Sequence, residues 1–259
     1  MINGLRVAVV LPAYNAADTI GSTVAELDRS VVDEIIVVDD ASTDGTVEAA
    51  ASIGLQAIRH GSNRGYGGNQ KTCYEAALAR GADIVIMLHP DYQYSPKLIP
   101  AMAAMLSYAP YDLVLGSRIL AQNALRGGMP LYKYVANRLL TAAENLLVGA
   151  KLSEYHTGLR GYRRSLLLSV PFQLNSDDFV FDNQFILQAL LAGGRVGEVS
   201  CPTHYGLDSS SINFRRSVMY GFGVLRAAAE FRLFKMGLAQ PAYLASVTRL
   251  VRPTSTTSV

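Results

Sequence analysis

Short apolar runs alternate with helix-forming stretches through the first 118 residues, and each run stops at a polar or acidic residue. Residues 6–11, 34–38, 55–59, 83–88 and 113–116 read as strands: they are brief, rich in Val, Ile and Leu, and too continuously apolar to leave one face in water. Residues 17–28, Thr46–Ser52 and 69–80 read as the helices between them, and Pro96 opens another in the early position that a helix tolerates. Strand–helix alternation of this kind builds right-handed crossovers and a mostly parallel sheet with helices on both faces. Such sheets bind ligands beyond the carboxyl ends of their strands. Here those ends carry Pro12 and Tyr14, Asp39 and Asp40, His89 and Asp91, and Ser117 and Arg118, so polar chemistry gathers along one rim.

Beyond residue 118 the pattern loosens. A long loop over 118–130 holds Arg118, Arg126 and the Gly127–Gly128 pair; helices are expected over Leu131–Val148, 179–192 and 214–238; a strand and a turn lie within 155–164, and a strand covers 195–201. A chain of 259 residues, half of them hydrophobic, suits one large α/β domain with an appendage. The boundary is placed after residue 213. From His204 to the end, Arg215, Arg216, Arg226, Arg232, Lys235, Arg249 and Arg252 face only Asp208 and Glu230, a local net charge of +5 against −3 for the rest. Residues 214–259 therefore read as a basic, amphipathic tail that either lies on an anionic membrane surface or packs across the domain. Cys73 and Cys201 have neither metal-ligand spacing nor a disulfide pattern, which points to a reducing compartment. The first residues do not form a signal peptide, and no apolar stretch reaches the roughly 18 residues of a spanning helix. The expected location is cytoplasmic, peripheral on the inner face of a membrane, without a nucleic-acid partner.

The rim residues suit one kind of chemistry. Ionised carboxylates are pure acceptors, fitted to ribose hydroxyls and base N–H groups. Asp40 is the candidate nucleoside clamp, with Asp39 and Asp44 shaping its loop; helix capping and a turn account for 42–45 equally well. Asp91, Gln93 and His89 offer a carboxylate, a carboxamide oxygen and an imidazole at one strand end, a candidate metal set, although an Asx-type turn also accounts for Asp91. Arg118, Lys133 and Arg126 are candidates for a diphosphate or an anionic acceptor. Asp182 is a candidate general base, unnecessary if the acceptor is an already ionised phosphate. The glycine-rich stretch 63–69 offers backbone N–H groups to a phosphate at a helix start. Neither a G-x-G-x-x-G after the first strand nor a P-loop is present, which argues against a nicotinamide-dependent oxidoreductase and a P-loop NTPase.

Taken together, Pro12-Ala13-Tyr14-Asn15, Val37 through Gly45, Asn63-Arg64-Gly65-Tyr66-Gly67, Asp91-Tyr92-Gln93, Gly116-Ser117-Arg118 and Gly158 through Arg164 fall in the order and spacing of the family 2 glycosyltransferases, which the chain resembles over roughly residues 5–215. Within them it is most similar to the dolichyl- and polyprenyl-phosphate mannosyl- and glucosyltransferases. The resemblance implies the GT-A fold and inverting transfer of a hexose from GDP-mannose or a UDP-hexose to a polyprenyl phosphate, with Mg²⁺ or Mn²⁺ as cofactor. It assigns Pro12, Tyr14, Val38 and Asp40 to the nucleoside, Asp91 and Gln93 to the metal, and Arg118 and Lys133 to the phosphates. His89, Asp91, Gln93 and Arg118 then face the nucleotide-sugar as well, with Asp91, Arg118 and Asp182 as the catalytic candidates. The chain departs from the family pattern at Ala16 in place of Glu, at His89 in place of the first Asp of D-x-D, at Gln184 in place of a later acid, and at His204 in place of an acceptor-side Arg. Two alternatives stay open: the same donor chemistry with a soluble glycan or natural-product acceptor, and a non-catalytic nucleotide-sugar binder.

Overall fold

The structure, a computed structural model, describes residues 1–120, 124–125, 127–202 and 214–250, with side chains from residue 216 in the last stretch. Arg126 and His204, both expected to meet the acceptor, lie outside these residues.

Among the described residues seven strands form one sheet in the order β3-β2-β1-β4-β6-β5-β7. The strands are β1 (Val7–Ala13), β2 (Glu34–Asp39), β3 (Ala57–Arg59), β4 (Ile84–Met87), β5 (Leu113–Ser117), β6 (Arg160–Arg163) and β7 (Val196–Ser200). All pairings are parallel except those of β6, which runs antiparallel between β4 and β5. The apolar strands are continuous because both faces are buried. Val7, Val9, Leu11, Ile84 and Ile86 pack to one side with Ile20 of α1 (Ile20–Ala25) and Met102 and Leu106 of α4 (Ile99–Tyr108). Ala8, Val10, Val85 and Met87 pack to the other with Tyr74 of α3 (Gly65–Ala79) and Phe181 and Phe185 of α7 (Phe181–Leu191). Adjacent residues of a strand point to opposite faces, so one apolar run feeds two cores.

The antiparallel strand matters for the site. Parallel strands bring their carboxyl ends to the rim; β6 brings its amino end there, pairing Arg160 with Met87 at the end of β4. The 155–159 segment is thereby delivered beside the ends of β4 and β5. Backbone strain concentrates on the same rim. Asn15, Ala41 and Tyr92, each after a parallel strand, hold φ of 52°, 59° and 58°, in the left-handed region that side chains disfavour.

Some element bounds shift from those read in the sequence. Leu55 belongs to the turn after α2 (Thr46–Ser52) instead of opening β3, because its N–H bonds back to Ala50 O at 3.0 Å. The first helix shortens to Ile20–Ala25 because residues 15–17 are drawn into the loop after β2. Two short helices, α6 (Arg164–Ser169) and α9 (Ala242–Ala245), are additional. The long helix α8 (Phe214–Lys235) buries Val224, Ala227, Ala228 and Phe231, and the last three join Val148 of α5 (Leu131–Val148) and Leu187 of α7 in one cluster. Among the described residues no helix is long and apolar enough to cross a membrane.

Candidate active site

A cleft of about 1220 Å³ opens at the carboxyl rim of the sheet. That exceeds the roughly 300–1,000 Å³ of a site for one small ligand, leaving room for a donor and an acceptor together. Pro12, Tyr14, Asp40, His89, Asp91, Gln93, Arg118 and Lys133 all line it. Two expected residues do not. Val38 is fully buried in β2, where Asn69 Nδ2 bridges its carbonyl and that of Ala13 at 3.2 and 3.3 Å. Asp182 sits one layer behind the wall.

The loops after β1 and β2 are laced into one support. Ser42 Oγ accepts from Asn15 N at 2.9 Å, Thr46 Oγ1 from Ala16 N at 2.8 Å, and Asn15 Oδ1 from Thr43 N at 2.9 Å. Asp44 accepts from Ala17 N and Thr46 N, so it shapes the turn. Tyr14 stands half out of this support, 53% exposed, with a ring face suited to a nucleobase. Asp40 is nearly buried. Its Oδ1 accepts from His60 Nδ1 at 2.7 Å and Arg64 N at 2.8 Å, and its Oδ2 from Gly65 N at 3.0 Å. A carboxylate has about four acceptor positions, so Oδ2 retains capacity for a ligand while Asp40 pins the start of α3.

The glycine-rich stretch does not present the phosphate cradle expected from its sequence. Arg64 and Gly65 give their N–H groups to Asp40, and Gly67 and Gly68 give theirs to Asp177 O at 2.7 and 3.3 Å. Its glycines serve close packing: a Cβ on Gly67 would fall 2.3 Å from Ser176 O.

At the end of β4, Asp91 Oδ1 accepts from Gln93 N at 3.1 Å, an Asx turn that turns both side chains' backbone toward the cleft. Tyr92 anchors this turn from outside through a 2.6 Å bond to Glu26. His89 is half-buried, stacks on Tyr66 at 5.3 Å and lies 3.1 Å through Nε2 from the Tyr66 hydroxyl. Burial pulls its pKa below the ordinary 6.5, outweighing the opposite pull of Asp91 and Asp182, so the imidazole is neutral at neutral pH. A neutral imidazole, a carboxylate and a carboxamide oxygen are donors a divalent cation accepts. Among the described residues no cluster of three His, Cys, Asp or Glu groups stands ready to cage a metal alone. The set therefore fits a cation that also takes substrate oxygens, as Mg²⁺ does on a diphosphate.

Arg118 is fixed by a residue that the motifs do not reveal. Glu154, fully buried, accepts from Arg118 N at 2.8 Å, from Nε at 2.8 Å, from an Arg118 Nη, and from Asn137 Nδ2 at 2.8 Å. Burial pushes the Glu154 pKa up, but the charge and hydrogen bonds of Arg118, with help from Asn137, hold it below its ordinary 4.5. Arg118 also donates to His156 O at 2.6 Å. His156 Nδ1 meets Tyr220 OH at 2.9 Å, and that hydroxyl donates to Asn183 Oδ1 at 2.8 Å, tying α8 to α7 beneath the cleft. Asp182 accepts from Tyr66 OH at 2.7 Å and Gln70 Nε2 at 3.2 Å and faces Arg160 at 3.4 Å. Its carboxylate is thus committed to the protein. Glu154 and Arg160 lie behind the lining and Asn137, Tyr66 and His156 within it; sequence signals for them are absent apart from the Asn63–Gly67 and Gly158–Arg164 motif context.

The part of the lining drawn from α5 and α8 is different in character. Leu139 and Leu140 of α5 and Val218 of α8 line the cleft there beside Lys133 and Arg216. The two helices expose Leu131, Tyr132, Val135 and Leu139 on one and Val218, Met219 and Phe222 on the other, and of these Tyr132, Leu139 and Val218 line the cleft.

Comparison with known proteins agrees with this geometry. The chain is 32% identical to the uncharacterized protein MJ1222 of Methanocaldococcus jannaschii over 86% of its own length and 91% of that protein's. It is 28% identical to the UDP-N-acetylglucosamine–dolichyl-phosphate N-acetylglucosaminyltransferase of Methanococcus voltae, over 88% and 96%. Its fold matches that of glucosyl-3-phosphoglycerate synthase from Mycobacterium tuberculosis in complex with Mn²⁺, UDP-glucose and phosphoglyceric acid, with a TM-score of 0.67 at 20% identity, covering 92% of this chain and 82% of the other. The sheet with its single reversed strand is thus the GT-A fold. Residues 8–170 match the family model described as glycosyl transferase family 2, and the chain belongs to that family.

Proposed function

We propose that the protein is an inverting hexosyltransferase that moves a sugar from a nucleoside diphosphate to a polyprenyl phosphate at a membrane surface. The observation that carries this reading is the mixed lining of one cleft: Tyr14, Asp40, Asp91 and Gln93 share it with Arg118, Lys133 and Arg216, bordered by exposed apolar side chains of α5 and α8. The relative from Methanococcus voltae, whose name includes dolichyl phosphate, supports a lipid-phosphate acceptor.

In this reading Pro12, Tyr14 and Asp40 hold the nucleoside. Asp91, Gln93 and His89 hold Mg²⁺ or Mn²⁺, which when bound supplies Lewis-acid stabilisation of the departing diphosphate. The Mn²⁺ complex of the structural neighbour supports the use of a divalent cation. Arg118, oriented by Glu154, sets fixed positive charge where phosphate charge gathers, at no reorganisation cost during transfer, and Lys133 adds a second cation to the same cleft. The acceptor phosphate arrives ionised and attacks the anomeric carbon without a protein base. That is consistent with Asp182, whose carboxylate is spent on Tyr66, Gln70 and Arg160. The exposed apolar faces of α5 and α8, with Arg226, Arg232 and Lys235, seat the protein on anionic lipid. Residues 1–213 then form the catalytic body, and 214–259 carry part of the membrane contact.

The test has two arms. A panel of UDP-, GDP- and dTDP-sugars with and without Mn²⁺ is scored by thermal shift, since a ligand of the native state raises the melting temperature by mass action. The stabilising donor is then given polyprenyl phosphate in vesicles, or soluble phosphorylated and glycan acceptors. Transfer to the lipid alone supports the reading. Transfer only to soluble acceptors replaces the acceptor, and donor binding without any transfer leaves a nucleotide-sugar binder.

A further inference from the structure

Behind the Asp91 end of the cleft runs a hydrogen-bond chain that the family motifs do not explain. Tyr66, in the first turn of α3, has its hydroxyl 2.7 Å from Asp182 Oδ2 and 3.1 Å from His89 Nε2. A phenol has one proton to give. Asp182 already takes a hydrogen bond from Gln70 Nε2 at 3.2 Å and faces the Arg160 guanidinium at 3.4 Å. Reversing the Gln70 amide would set its oxygen against the Asp182 carboxylate, and as placed its Oε1 accepts from Tyr74 OH at 2.6 Å. Every neighbour of the Asp182 side chain is therefore a donor, and the Tyr66 proton belongs to that bond.

The contact between Tyr66 and His89 then needs a donor from the other side. Only an Nε2–H can supply it. A neutral ring with its proton on Nε2 has its lone pair on Nδ1. The ring plane is restrained as well. Tyr66 stacks on His89 at 5.3 Å and is backed by Phe179 at 4.7 Å, and a Cβ on Gly158 would fall 2.7 Å from His89 Cδ2.

We propose that Tyr66, held by Asp182, is a positioning residue that locks His89 as its Nε2–H tautomer and so reserves Nδ1 for the divalent cation. The proposal rests on the reading of His89 as a metal ligand. It gives Asp182 a task that its buried, fully bonded carboxylate can perform. It also makes the histidine a pre-set nitrogen donor where the family pattern has an aspartate, which favours Mn²⁺ over Mg²⁺.

The experiment uses the full chain, labelled with ¹⁵N-histidine and free of metal. The chain has four histidines, so the His89→Ala spectrum assigns the signal. The expected result is an Nε2–H tautomer whose ring proton exchanges slowly with water. In Tyr66→Phe that protection is lost. The Mn²⁺ dissociation constant, read from the electron paramagnetic resonance of free Mn²⁺ in the presence of UDP, rises about 10- to 100-fold. An Nδ1–H tautomer in the unaltered protein overturns the proposal, and so does an unchanged Mn²⁺ affinity in Tyr66→Phe when His89→Ala weakens binding. Unchanged affinity in His89→Ala rejects the ligand reading underneath, which separates the two failures. A melting temperature of Tyr66→Phe close to that of the unaltered protein keeps these readouts free of unfolding.

Discussion

Replacing Glu154 by glutamine removes one negative charge from a place that water does not reach. Glu154 is fully buried, and the Arg118 side chain it neutralises is 12% exposed. Glutamine keeps the shape but puts an amide NH₂ among donors: Arg118 N, Nε and Nη and Asn137 Nδ2 all point at the present carboxylate. Breaking one partner out of a buried pair costs about 3–5 kcal/mol, because the other charge is left uncompensated. For a chain of this size that lowers the melting temperature by roughly 6–20 °C, taking about 2–4 °C per kcal/mol. The effect has a pH signature. Glu154 has a folded-state pKa held below its unfolded value near 4.5, so its contribution is complete above that value and disappears as pH falls through the folded pKa. Denaturant titrations at pH 7 and at steps below pH 4.5 measure it. The variant is expected to be much weaker at pH 7 and to converge on the unaltered protein in acid. Equal stability at pH 7, or a gap that does not close in acid, refutes the argument that Arg118 is held by a charged Glu154.

Further expectations follow from other parts of the cleft. Asp91→Asn removes the one carboxylate of the proposed metal set and should abolish the Mn²⁺-dependent part of UDP-induced thermal stabilisation; a full Mn²⁺ increment in this variant excludes Asp91 as a ligand. Gly67→Ala sets a Cβ 2.3 Å from Ser176 O and 2.8 Å from Phe181 Cβ, both in rigid surroundings, and should destabilise by about 1–3 kcal/mol in chemical denaturation; a neutral result shows that the 175–178 loop yields. Leu139→Glu combined with Phe222→Glu, at positions 67% and 72% exposed, should leave the melting temperature nearly unchanged and weaken flotation with anionic vesicles; undiminished flotation rejects the α5–α8 face as the lipid contact.

What could be read from the sequence, and what could not, divides along strand direction. Pro12, Tyr14, Asp40, Asp91, Gln93 and Arg118 were visible because parallel strands necessarily bring their carboxyl ends to one rim, so a polar residue closing an apolar run has a known address. Lys133 was visible from its place in the first turn of a helix that follows a long loop. The inner layer had no such rule. Arg160 and the 155–159 segment reach the rim only because β6 runs backwards between β4 and β5, and four residues reading Arg-Gly-Tyr-Arg carry no periodicity that distinguishes the two directions. Glu154 sits in the loop before that strand, where an acid ordinarily faces water. Asp182 shows the same limit from the other side: its residue type suited a base, but helix α7 is buried nearly all round, so no amphipathic pattern told which way the carboxylate turned. The glycines of 65–68 were conspicuous, yet what they accommodate is the backbone of 176 and 177, a long-range packing partner. Strand ends thus tell which groups can meet a substrate, while the groups that set their charge state, tautomer and orientation come from contacts between distant segments. In this site those contacts supply what the motifs do not show: Glu154 takes Arg118 N, Nε and Nη, and the Tyr66 hydroxyl meets His89 at Nε2.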